Sequence, residues 1–216
     1  SIGFTLFVYI LIINAYNLID GVDGLAGSVA LLISVVFSVL FYNSGALSLA
    51  TIAVALIGAL SAFLRYNFSN RKKIFMGDTG SMIVGFLLAF FSISFISQSQ
   101  INPESLYHKA SPALVLAMLF YPLMDTCRIF FIRIFILKKS PFEADRNHVH
   151  HRFILYGFSH LQTTLTVVSI NLLIIVIAFN MLHLNLNTQI GLLLIYGAAL
   201  FYAPFIVKRK LKKSKG

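Results

Sequence analysis

Seven apolar runs, at about 2–16, 24–42, 46–64, 81–97, 111–134, 161–180 and 189–207, divide the chain, and its polar residues fall mainly in the segments between them. Runs of this kind approach or reach the roughly 17–25 residues needed to cross a bilayer as α-helix. The pattern predicts an all-α, polytopic integral membrane protein with about seven transmembrane helices and one multi-pass domain over 1–216. Within 111–134, Pro122, Asp125 and Arg128 interrupt the run, which predicts a kink or an early exit from the bilayer at its inner end. The opening SIGFTLFVYILII lacks a basic n-region and a small-residue cleavage site after it, so it does not read as a signal peptide.

Composition agrees. Hydrophobic residues make up 58% of the 216 and charged residues 11%, too little polar surface for an ordinary soluble domain. The single cysteine, Cys127, excludes an internal disulfide framework and a thiolate metal cluster.

Charge gives the pattern a direction. With odd-numbered crossings running inward, 65–80, 135–160 and the tail 208–216 share one side. Of the seventeen Lys and Arg only Lys109 falls on the other, and of the seven acidic residues only Glu104. Such a bias marks the cytoplasmic face and puts the polar loops inside. The basic cytoplasmic tail KRKLKKSKG, 208–216, orients the last helix and attracts anionic membrane lipid. Topology accounts for most of the net charge of +10, so no nucleic-acid partner is implied.

Three polar islands lie on the inner side. In NAYNLIDGVDGLAGS, Asn14, Asn17, Asp20 and Asp23 recur at intervals of three, and Gly21, Gly24 and Gly27 permit close backbone approach or a helix break. The carboxylates either converge on a ligand or cap the next helix. In NRKKIFMGDTGS, Gly77-Asp78-Thr79-Gly80-Ser81 precedes an apolar helix, where Thr79 or Ser81 would cap it, its free N–H groups would face an anion, or Asp78 would reach a divalent cation. It is not a P-loop. In SPFEADRNHVHHRF, His148, His150 and His151 stand beside Asp145, Arg146 and Arg152. Three His suggest zinc, but the arginines and nearby Lys138 and Lys139 suit phosphate better, and a purely structural loop is the third reading. His160 and His183 have no comparable company in the sequence and read as incidental. Together the islands suit transfer of a phosphorylated group from a cytosolic nucleotide to a lipid phosphate.

The motifs NAYNLIDGVDGLAG, FMGDTGS, YPLMDTCR and SPFEADRNHVHHRF, in this order, resemble those of the polyprenyl-phosphate N-acetylhexosamine-1-phosphate transferases. That family includes the enzyme making lipid I of peptidoglycan and those starting O-antigen (lipopolysaccharide), enterobacterial common antigen and teichoic acid linkage units. The resemblance implies transfer of a sugar 1-phosphate from a UDP-N-acetylhexosamine to undecaprenyl phosphate, releasing UMP, with Mg²⁺ or Mn²⁺, as the first membrane step of cell-envelope glycan synthesis. It implies that Asp78 is a metal ligand, that Asn17, Asp20 and Asp23 line the nucleotide and metal cleft, and that His148, His150 and His151 contact substrate phosphates or sugar, with Arg146 and Arg152 beside them. The form HVHH after SPFEADRN is similar to the branch using UDP-GlcNAc or a related UDP-N-acetylhexosamine.

Members of that family are typically longer and carry an Asp-Asp pair upstream of the first of these motifs; this chain has no such pair. The resemblance therefore implies a C-terminal portion lacking N-terminal helices, with little activity by itself. Direct attack by the lipid phosphate is favoured over a two-step route through a carboxylate nucleophile. Two other classes stand against the transferase: a catalytically incomplete membrane scaffold, and a polytopic transporter, although no crossing offers an acidic path through mid-bilayer. Apolar helix faces are open to lipid, to further helices or to a second copy in a homodimer.

Overall fold

The computed structural model describes residues 2–69, 71–138, 140 and 149–213, with side chains undescribed at 150, 151 and 204–213. The described residues form helices and no strand: α1 (Ile2–Asn17), α2 (Leu25–Asn43), α3 (Leu47–Asn67), α4 (Gly77–Ile101), α5 (Ser111–Met118), α6 (Phe120–Phe131), α7 (Val149–Leu155), α8 (His160–Asn180) and α9 (Leu186–Lys213). From α6 the chain runs on as a π-helical stretch, Ile132–Leu137.

Each apolar run becomes a helical element. Five helices (α2, α3, α4, α8 and α9 to Ala203) are long and apolar enough to cross a membrane, and α5 with α6 and its extension forms a sixth span bent by 75°. The seventh run is α1, predominantly apolar until Asn14 but 16 residues long, a rise of roughly 24 Å. Large apolar side chains such as Phe4, Phe7, Val54, Phe86 and Leu165 are exposed on the outer faces, as lipid contact requires and water would penalise.

The break in the fifth run lies at Leu119, one turn before the proline that causes it. Pro122 has no N–H for the carbonyl of Met118, and its ring would clash with that carbonyl in a continuous helix. Asn171 of α8, fully buried, repairs both orphaned groups: its Nδ2 donates to Met118 O (3.0 Å) and its Oδ1 accepts from Tyr121 N–H (3.2 Å). One amide thus replaces a missing turn of backbone bonding in a medium with no water to do so.

Between α1 and α4 the approach is closer than ordinary side chains allow. A Cβ at Gly85 would stand 3.1 Å from the Cα of Ile13. At one end of the bundle Phe37 and Phe41 of α2 meet Phe91 and Phe95 of α4 in tilted and edge-on contacts that continue through Tyr107 to Phe179 of α8. At the other end the C-terminal ends of α1 and α3 and the N-terminal ends of α2, α4 and α8 gather, and there the polar islands meet.

Candidate functional site

The first two islands face each other because α1 and α4 pack side by side. Asn17, at the end of α1, donates through Nδ2 to Ser81 Oγ (2.6 Å), and Ser81 Oγ donates to the carbonyl of Asp78 (3.1 Å). Asn67 ties the same end together from α3: Oδ1 accepts the N–H of Gly24, and Nδ2 donates to Ile74 O (2.8 Å). Gly24 has φ 74°, and the ring of Phe68 occupies the place where a Cβ would stand. That position admits glycine for both reasons.

The capping readings fail on geometry. The N-cap of α2 is Gly24 and that of α4 is Met76, and neither end has a side-chain cap hydrogen bond. Asp20 and Asp23 therefore do not cap α2, and Thr79 and Ser81 do not cap α4. Both carboxylates stand in the turn between α1 and α2, while Thr79 and Ser81 are already inside the first two turns of α4, where a cap cannot sit.

Asp20 instead reaches across to α4. It is half-buried, and its pKa is pushed up to about 6 by burial first, then by the negative charges of Asp78 and Asp23, while a hydrogen bond from the Gly77 backbone N–H opposes the rise. Asp20 and Asp78 thus repel each other, the largest cause of the shift after burial. Such repulsion is the mark of a place suited to positive charge.

Asp23 has its cation already. Lys73 Nζ stands 2.6 Å and His160 Nδ1 2.8 Å from its Oδ2, and Thr164 Oγ1 donates to its backbone carbonyl (2.9 Å). His160 is therefore not incidental: it joins the first island from 137 positions away. Its neighbours in sequence gave no sign, because the carboxylate it meets belongs to another helix.

The third island lies mostly outside the described residues, including Asp145, Arg146 and His148; His150 and His151 belong to α7, with their side chains undescribed. What positions α7 is visible. Asp125 of α6, buried, accepts the N–H of Val149 (2.9 Å) through Oδ1, with Arg128 Nη2 3.6 Å from the same oxygen. An exposed Arg152 lines a cavity of about 370 Å³ between α6, α7 and α9, with Tyr121, Asp125, Arg128 and Phe201.

No group of three His, Cys, Asp or Glu stands close enough to hold a metal among the described residues. Asp20 and Asp78 nonetheless fit a hard divalent cation, which takes oxygen donors and commonly uses one or two carboxylates with substrate phosphates completing the shell. Neither offers the nitrogen or sulfur set of a structural zinc site.

Fold and site define a polytopic membrane protein, helical in its described residues, with the carboxylates of Asp20, Asp23 and Asp78 gathered at one end of the bundle. The family description for glycosyl transferase family 4 matches residues 1–96. Decaprenyl-phosphate N-acetylglucosaminephosphotransferase of Mycobacterium leprae (strain TN) is 37% identical over 184 residues, covering 77% of this chain and 44% of that protein. Undecaprenyl-phosphate alpha-N-acetylglucosaminyl 1-phosphate transferase of Yersinia pestis is 35% identical over 163 residues (73% and 42%), and that of Escherichia coli (strain K12) 29% over 216 (98% and 56%). The chain belongs to this family, the polyprenyl-phosphate N-acetylhexosamine-1-phosphate transferases of glycosyl transferase family 4. It spans about half the length of the relatives it matches.

Proposed function

We propose that the protein transfers N-acetylhexosamine 1-phosphate, GlcNAc 1-phosphate foremost, from a UDP-sugar to undecaprenyl phosphate at the cytoplasmic face of a bacterial inner membrane, releasing UMP. The observation that carries this reading is the convergence of Asp20 and Asp78 at one end of a membrane bundle, with Asp20 raised to about 6. A transporter would use such groups in mid-bilayer, whereas these stand at its edge. The names of the relatives supply the polyprenyl phosphate and the GlcNAc phosphate; the UDP donor comes from the motif resemblance.

In this reading an oxygen of the lipid phosphate attacks the sugar-bearing phosphorus of the UDP-sugar. The bond from that phosphorus to the oxygen bridging the two phosphates breaks, and UMP leaves with the bonding pair. Asp20 and Asp78 would hold Mg²⁺ or Mn²⁺, which when bound offsets the charge on the phosphates. Asn17 fixes the end of α1 against Ser81 and so sets the separation of the two carboxylates. Asp23, already paired, organises the wall of the cleft. Arg146, Arg152 and the His148, His150 and His151 cluster would meet the phosphates or the sugar, with Asp125 anchoring the start of α7. Direct transfer requires no covalent enzyme intermediate.

The test is UMP release in liposomes containing undecaprenyl phosphate and Mg²⁺, with UDP-GlcNAc, UDP-GalNAc and UDP-MurNAc-pentapeptide compared as donors. Lipid-dependent release with UDP-GlcNAc preferred is the expected result. Release without the lipid, or none with any donor from the purified protein or its full gene product, overturns the reading.

A further inference from the structure

We propose that His160 is a positioning residue for Asp23: with Lys73 it pins the Asp23 carboxylate to the wall of the cleft, leaving Asp20 and Asp78 to face substrate. This inference rests on the transferase reading and adds residues to it.

The contact is built from a rigid start. Ser159 caps α8 in a reciprocal box with Gln162, its Oγ accepting the Gln162 N–H (3.2 Å) while Gln162 Oε1 accepts the Ser159 N–H (3.0 Å). That box sets the direction of the first turn, so His160 leaves the helix at a defined angle. His160 and Thr164, four residues apart, lie on one helix face, and both reach Asp23: the imidazole Nδ1 stands 2.8 Å from its Oδ2 and 3.3 Å from its backbone N, donating to the carboxylate when it carries a proton and accepting the N–H when it does not, and the Thr164 hydroxyl donates to its carbonyl at 2.9 Å. Side chain and backbone of Asp23 are thus held by one turn of α8.

Lys73 alone does not serve this purpose. It leaves a segment, 73–76, with no regular secondary structure, and its four-carbon stem has many rotamers. The imidazole has two torsions and a helical base. Asp23 already adds to the upward push on Asp20, behind burial and Asp78, and an Asp23 side chain released from α8 would be free to swing closer to both.

Exposure separates placement from stability. The side chains of Lys73, His160 and Asp23 are 35%, 50% and 22% exposed, and ion pairs so wetted contribute little to folding. Loss of His160 should therefore leave the bundle folded and disturb the geometry of the cleft.

The experiment measures UMP release and unfolding temperature for the unmutated protein, His160→Ala, His160→Asn, Asp23→Ala and the Asp23→Ala/His160→Ala pair, in liposomes with undecaprenyl phosphate, UDP-GlcNAc and Mg²⁺. Misplacing a cleft group by about 1 Å costs on the order of 100-fold, so His160→Ala should lower kcat by about 10- to 100-fold with the unfolding temperature nearly unchanged. His160→Asn, whose amide nitrogen falls near Nδ1, should recover much of the loss. The double variant should be no slower than Asp23→Ala alone. A His160→Ala rate within about twofold of the unmutated protein, or losses that multiply in the double variant, overturns the proposal. The same variants are placed in the full gene product, and absence of UMP release from both the unmutated chain and that product sinks the transferase reading instead. The ¹⁵N resonance of His160 Nδ1 then decides the contact: a change on Asp23→Ala sustains it, and no change removes it.

Discussion

Asp20 is a carboxylate half-buried beside two others. Folded, it holds its proton up to about 6 against 3.8 for an ordinary aspartate. Across that interval the folded chain binds more protons than the unfolded one, so its contribution to stability falls as pH rises and the deficit is complete above about 6. Partial exposure reduces this to on the order of 1 kcal/mol at neutral pH. Asp20→Asn should therefore raise the unfolding temperature of the metal-free protein at pH 7.5, and the gain should fade as pH falls through about 6 toward 3.8. Mg²⁺ should do for the unmutated protein what the substitution does, and should lose its effect both in Asp20→Asn and below about pH 6; a Mg²⁺ shift that survives Asp20→Asn would count against Asp20 as a ligand. The carboxylates were legible in the sequence because charge is scarce among apolar runs and stands out. Their partners were not. Asn67 and His160 are separated from the turn they hold by 43 and 137 positions, and only packing brings such residues together. The S-x-x-Q spacing at Ser159 and Gln162 did carry a local signal for the start of α8, and from that start His160 could have been placed at the cleft end of the bundle.

Among the elements, the bent span shows most clearly what a sequence discloses and what it hides. Pro122 announces a break, and the chemistry of proline sets it one turn earlier, at Leu119, rather than at the inner end where Asp125 and Arg128 drew attention. Invisible in the sequence is the repair, since nothing marks Asn171 as the partner of Met118 and Tyr121. Asn171→Leu keeps the volume and removes both bonds, stranding a buried carbonyl and a buried N–H. It should cost about 2–4 kcal/mol, read as a lowered midpoint of unfolding in detergent, whereas an unchanged midpoint would mean the bend satisfies its own backbone. Further along the same span, Asp125 meets α7 across 24 positions. Asp125→Ala should release the start of α7, seen as faster hydrogen exchange over 149–155 with the helices of the bundle unaffected, and should slow transfer because α7 carries His150 and His151. The seven apolar elements were legible, four of them to within about three residues at their ends, while α4 runs four residues further at each end than 81–97 and α9 continues to Lys213, beyond 207. Their lengths are set by the bilayer, and the residues that bound them are polar for the same reason. The start of α4 was read four residues late, at 81 against Gly77, because Gly-Asp-Thr-Gly looks like a turn and forms the first turn of a helix instead.

For the whole molecule, orientation decides whether the cleft can meet a cytosolic nucleotide at all. One end of the bundle collects Asp20, Asp23 and Asp78 with Arg71, Lys72 and Lys73, while the segment between α4 and α5 carries Glu104 and Lys109. Basic loops are retained on the cytoplasmic side during insertion, so this asymmetry predicts that the carboxylate end faces the cytoplasm. A pair of single cysteines tests it in a Cys127→Ser background, because Cys127 is the chain's only thiol. Lys72→Cys and Asn102→Cys are both exposed positions, at opposite ends of the bundle. A membrane-impermeant maleimide applied to spheroplasts should label Asn102→Cys and leave Lys72→Cys untouched, and in inverted vesicles the preference should reverse. The opposite pattern would turn Asp20 and Asp78 away from any cytosolic UDP-sugar. It would overturn the proposed reaction without altering the fold, since the packing of α1 against α4 and the repair at Asn171 are indifferent to which side is which. That independence makes orientation a clean arbiter: bundle geometry can build the cleft, but only charge across the membrane determines what the cleft meets.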